Sequence, residues 1–132
     1  MPVRPSLIAA LGLMPALGLM PALAGPAAAQ TQFDLNQQAG QRFAKADAAL
    51  NRTYGRLLET LSPAGQDALR QAQRSWIAFR DQECTFETFG TRDGSIHPMV
   101  LAECKTRLTE ARTRQLQGQL DCPEGDMSCG GQ

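Results

Sequence analysis

Three stretches of the chain repeat apolar residues at intervals of three and four, the spacing that lines one face of an α-helix. Over about residues 41–61, that face is marked by Phe43, Ala46, Leu50, Tyr54, Leu57 and Leu61. Ser62 followed by Pro63 breaks the run and suits the N-cap and first position of a second helix. Along that helix Leu69, Ala72, Trp76, Phe79 and Phe86 form one stripe, and Ile77 and Cys84 lie on a neighbouring one. An apolar arc this wide predicts a helix packed against two others, with Trp76 and Phe79 in the core and Ile77 on a second packing face. The segment 90–95, GTRDGS, reads as a loop. Ser95 is placed to cap a third helix whose first turn takes Pro98. Leu101, Cys104, Leu108, Ala111 and Gln115 carry the third stripe, which fades near residues 118–120. The Gln-rich residues 30–40 read as a weakly structured lead-in, with Asp34 or Asn36 as the cap of the first helix. The expected fold class is all-α: a small antiparallel three-helix bundle.

A different pattern precedes residue 30. Arg4 is followed by a charge-free apolar run over residues 7–24, and Ala27, Ala28 and Ala29 stand just before Gln30. That is the layout of a secretory signal peptide with a small-residue cleavage site. Pro15 and Pro21 interrupt the run, which speaks against a retained membrane anchor. The predicted organisation is a signal peptide at 1–29, a helical domain at 30–120 and an acidic tail at 121–132. The expected location is periplasmic or secreted, in a bacterium, with no stable membrane anchor after cleavage.

Charge and cysteine content narrow the partners. The chain has 13 basic and 13 acidic residues. So balanced a chain has no strong field to select nucleic acid or an anionic membrane, and nucleic acid is not an expected partner. In an oxidising compartment the four cysteines read as two disulfides. Cys84 near the end of the second helix and Cys104 near the start of the third would be brought together by a short loop, stapling the hairpin. Cys122 and Cys129 would then close a small loop in the tail. Four cysteines allow three pairings, and sequence alone leaves the other two open. A zinc site built from these cysteines and His97 lacks a paired C-x-x-C spacing, so no metal or cofactor is expected.

Candidate catalytic groups fare poorly. His97 is the only histidine, and no serine and acid accompany it in a nucleophile context; it reads as a capping or surface residue. Asp81, Glu83 and Glu87 cluster on the second helix, where acids are normally solvated and paired with arginines one turn away. No enzyme is expected. Arg80 lies on the row Trp76–Arg80–Cys84. It is expected to lay its stem along the bundle against Trp76 and to reach an acid or carbonyl on another helix, the alternative being that Arg80 and Asp81 are exposed partner contacts. Asp81 follows it in sequence, but adjacent helical side chains point about 100° apart, so the two are not expected to pair.

The motif Ala72-Gln73-Arg74-Ser75-Trp76-Ile77-Ala78-Phe79-Arg80-Asp81-Gln82-Glu83-Cys84, preceded by Ala46-Asp47, Leu50 and Tyr54 and followed by Gly94-Ser95-Ile96, Cys104 and Leu108, resembles the LprI-like lysozyme inhibitor family. The resemblance covers about residues 43–120 and rests on a W-x-x-[FY]-R-D-x-x-C helix with a later cysteine. It implies a small exported bacterial helical domain whose partner is a protein, a lysozyme-type muramidase. The chain departs from many relatives in having no cysteine in the lead-in FDLNQQAGQRF. If the implied activity holds, an inhibitor must offer acids to the rim of a basic lysozyme or a base to its cleft carboxylates. Candidate contacts are Arg92, Asp93 and His97 around the interhelical loop, and Asp121, Glu124 and Asp126 in the tail. The alternative is an envelope interaction module without inhibitory activity.

Overall fold

The computed structural model describes residues 30–123, 125–127 and 129. The signal-peptide reading of 1–29 and the candidate contact Glu124 lie outside them. The described chain has three long helices and no strand: α1 Gln32–Thr60, α2 Pro63–Glu87 and α3 His97–Leu120, with a 3-10 turn at Phe89–Thr91 before α3. None of these helices is long and apolar enough to cross a membrane.

α1 begins nine residues earlier than its hydrophobic pattern predicts, and residues 32–40 are helix rather than lead-in. The cause is local. Thr31, not Asp34 or Asn36, is the N-cap, and Asp34 at the third helical position completes a capping box. The Asp34 amide donates to the Thr31 hydroxyl at 3.1 Å, and the Thr31 amide donates to the Asp34 carboxylate at 3.0 Å. The hydrogen bond from the Thr31 hydroxyl, then that from its amide, holds the Asp34 carboxyl below its usual value. Thr31→Ala is expected to fray this end. Amide exchange over residues 32–37 should accelerate while the rest of α1 keeps its protection; unchanged exchange there would remove the capping box as the cause.

Ser62 caps α2 through its hydroxyl and Pro63 takes the first helical position, as the sequence predicts. α3 starts after Ile96 with no side-chain cap. Ser95 is not the cap: Ile96 takes that position, one residue later, and the Ser95 carbonyl accepts from Asn36 of α1 at 3.0 Å.

The most extensive helix pairing is between α1 and α3, and α2 joins mainly through α3. Contacts along α1 and α3 rise together: Gln32 with Met99, Arg42 with Glu103, and Leu57 in one cluster with Leu116. Contacts between α2 and α3 run in reverse: Gln73 with Arg112, Arg80 with Thr109, Cys84 with Cys104. Small buried residues, Ala39, Ala46 and Thr109, line the interior toward one end. Toward the other end sits a leucine cluster, Leu50, Leu57, Leu61 and Leu116, with Tyr54, Leu69, Trp76 and Leu120 packed on it.

The wide arc on α2 is not fully covered. Phe79 is 52% exposed and Phe86 76% exposed, and Ile77 is also exposed, so none of the three is core. The buried row of α2 is instead Gln73, Arg80 and Cys84, with Trp76 half-buried beside it. Both neighbours of α2 lie toward that one side. Apolar spacing reports which faces could pack, not how many neighbours are present to cover them.

Candidate functional site

Two disulfides are formed. Cys84–Cys104 ties the end of α2 to α3 with a Cα separation of 5.6 Å, and Cys122–Cys129 closes the tail. The first fixes the base of the loop between α2 and α3. Above it the backbone is folded on itself. The Thr88 hydroxyl donates to the Cys84 carbonyl at 2.7 Å, and the Thr91 hydroxyl donates to the Thr88 carbonyl at 2.8 Å. Gly94 then donates to the Thr91 carbonyl at 2.8 Å. His97 is half-buried rather than on the surface, its Nδ1 3.1 Å from the Thr91 hydroxyl oxygen. Asn36 anchors the far side of the loop to α1, and Glu87 with Arg107 at 2.5 Å braces the near side.

This frame presents Phe89, Arg92 and Asp93 to solvent. The Arg92 guanidinium lies 4.2 Å from the centroid of the exposed Phe89 ring and bonds the Phe89 carbonyl at 3.3 Å. Asp93 lies 3.5 Å from it, in an exposed pair of the kind worth little in water. The loop therefore offers an oriented cation on an aromatic support, at the tip of a stapled hairpin. Phe89 was not singled out from sequence. Its signal was present, since Phe89 sits three residues before Arg92 in a turn-forming segment.

The tail candidates lie elsewhere. Asp121 ends α3 and accepts from Gln117 at 2.9 Å, while Asp126 is exposed within the Cys122–Cys129 loop. α3 has 24 residues, which separates its two ends by about 36 Å. The structure thus brings Arg92, Asp93 and His97 together and sets Asp121 and Asp126 at the opposite end.

The motif on α2 is an interior polar hub. Arg80 is 7% exposed. Its guanidinium lies 5.2 Å from the Phe43 ring and 5.3 Å from the Trp76 ring. It bonds Asp47 of α1 at 3.3 Å and Thr109 of α3 at 3.4 Å. It also bonds Asp81 through Nε at 3.0 Å, contrary to the expectation that these neighbours diverge. Their Cβ directions do diverge, but the arginine stem is long enough to turn its Nε back. Partial burial pushes the Asp81 carboxyl up. Arg80, aided by Lys105 at 3.4 Å, more than offsets this and leaves the carboxyl below its usual value. Among the described residues, the one cluster with metal-ligand types is Cys122, Asp126 and Cys129, and both its sulfurs are already in a disulfide.

Residues 24–116 match the model of the family described as lysozyme inhibitor LprI. The chain belongs to the LprI family. A similar protein is an uncharacterized protein of Rhizobium meliloti (strain 1021), 34% identical over 109 residues, covering 73% of this chain and 78% of that one. No solved structure matches the chain at a significant level. Within this LprI-family chain Trp76, Arg80, Asp81 and Cys84 of the motif fall on the interior hub and the staple, Phe79 of the motif is exposed, and the Arg92 tip lies just beyond.

Proposed function

We propose that this LprI-family chain is an exported binding protein that inhibits a muramidase, with the Phe89–Asp93 tip as its contact. Membership of a lysozyme-inhibitor family, over residues 24–116, carries the reading. The tip supports it by chemistry. Muramidases work with two carboxylates in a cleft. A guanidinium is the side chain best shaped to meet a carboxylate through two parallel hydrogen bonds. Arg92 is exposed, backed by Phe89, and held by a loop whose internal bonds limit the ordering cost of binding. A cleft carboxylate would take the place of Asp93, whose present contact is long and solvated. Export by cleavage after residue 29, no catalytic role of the chain's own, and a protein partner free of nucleic acid belong to the same reading.

The test is peptidoglycan hydrolysis by animal and bacterial muramidases in the presence of the exported protein, its intact mass first confirming removal of residues 1–29. Inhibition is expected. Arg92→Ala should weaken it by about 30-fold, as for a hot-spot side chain, and deletion of 121–132 should leave it unchanged, because the tail is at the other end of α3. Inhibition untouched by Arg92→Ala would remove the tip from the contact. No inhibition of any muramidase would leave an envelope interaction module as the better reading.

A further inference from the structure

The uncovered face of α2 is ordered along its length. Residues 68, 72, 75, 79, 82 and 86 recur at alternating intervals of four and three, the seam of a helix that packs against another helix. They are Ala68, Ala72, Ser75, Phe79, Gln82 and Phe86, all exposed and none charged. The seam is graded, with small residues in its first half and both aromatics in its second. Its small end opens on a groove of about 340 Å³, walled by Leu57, Leu61, Ala68, Ala72, Leu116 and Arg112.

We propose that this face is the self-association surface of the protein, taking a second copy of α2 in the opposite direction. Pairing about residue 77 sets Phe86 of each copy against Ala68 and the groove of the other, and Phe79 against Ser75. One two-fold axis satisfies both ends, because the two features lie about 27 Å apart on the same helix in each copy. Charge supports the same partner. Among the described residues, Arg112 in the groove wall bonds neutral groups alone, Gln73 at 3.1 Å and Gln115 at 2.6 Å, and it stands 5.9 Å from the Trp76 ring. Partial burial works against its charge. Glu83, one turn before Phe86, makes no ion pair among the described residues and would arrive with Phe86 at the Arg112 wall. Without residues 1–29 the chain loses Arg4 and no acid, so the exported form has only one more acid than base and two copies repel little.

The area sets the strength. A phenylalanine ring presents about 150–250 Å², and Phe79 and Phe86 are 52% and 76% exposed. Four such rings in a dimer supply about 500 Å² of the roughly 1,000 Å² at which specific interfaces begin. The small residues and the groove walls supply the rest. The dimer is therefore a weak, reversible one.

Sedimentation equilibrium of the full protein as the cell exports it tests this, over about 5–500 μM. A monomer–dimer equilibrium with a Kd on the order of 100 μM or tighter is expected. Phe86→Glu should weaken it at least 10-fold, with circular dichroism and both disulfides unchanged because the ring is exposed. Glu83→Arg should weaken it about 5-fold, and adding Arg112→Glu in the same chain should restore it. A monomer throughout the range would overturn the proposal, as would a dimer indifferent to both Phe86→Glu and Phe79→Glu. So would a chain that stays monomeric yet loses muramidase inhibition on Phe86→Glu, which would give the face to that partner instead.

Discussion

Replacing Cys84 and Cys104 together by alanine should lower the stability of the protein by about 3 kcal/mol, the loop-closure value for residues 20 apart. For a domain of this size that corresponds to a fall in melting temperature of roughly 12–20 °C. The staple is costly to lose because of where it sits. α2 has one buried row, its aromatics on the opposite side are exposed, and its attachment to α3 near this end rests on the disulfide, Glu87–Arg107 and Asp81–Lys105. The matching change at Cys122 and Cys129 should leave the melting temperature almost unmoved. That bridge closes seven residues beyond α3, and the Met127 inside it is fully exposed. Thermal unfolding of the two double variants, followed by circular dichroism, separates the cases; equal losses would mean that the tail packs on the bundle. The Cys84–Cys104 variant should also lose order at the Phe89–Asp93 tip, since the loop springs from the stapled residues.

How much of this was legible in the sequence differs from element to element, for physical reasons. The breaks at Ser62–Pro63 and before Pro98, and the meeting of Cys84 with Cys104, were readable because each depends on short-range geometry. The early start of α1 was also written locally, as Thr31 three residues before Asp34, but a Gln-rich stretch with few apolar residues hid it. The exposure of Phe79 and Phe86 was not readable. A helix wheel gives the apolar directions of α2, whereas coverage depends on where α1 and α3 lie, which is a property of the assembled bundle. The Arg80–Asp81 bond escaped for a related reason: a Cβ vector fixes only the first bond of a long side chain. For the tip, sequence supplied Arg92 as a loop cation, while its aromatic support by Phe89 and its separation from the acidic tail needed the fold.

Arg80→Ala should destabilise the protein by about 2–3 kcal/mol, and Arg80→Lys should recover less than half of that loss. The range lies below the 3–5 kcal/mol typical of breaking a fully buried ion pair, because the side chains of Asp47 and Asp81 are 42% and 45% exposed and water can take over part of their solvation. What alanine removes is a group that joins all three helices at once: Asp47 on α1, Thr109 on α3 and the two flanking rings. Lysine keeps the charge, but all its donors sit on one nitrogen, whereas Arg80 meets Asp81 through Nε and Asp47 and Thr109 through a terminal nitrogen, and an ammonium cannot lie flat between Phe43 and Trp76. The acid limb of the stability curve supplies the second readout. The Asp81 carboxyl is held below its usual value in the folded protein, so its contribution is complete above the unfolded value of about 4 and is lost as pH falls through the lower folded one. Removing Arg80 takes away the largest influence that lowers it, while partial burial, which raises it, remains. In urea titrations between about pH 7 and pH 3, the parent protein should therefore lose more stability than Arg80→Ala does. Parallel pH profiles for the two proteins would mean that the hub holds the helices by packing of the arginine stem between the rings, with its charge contributing nothing.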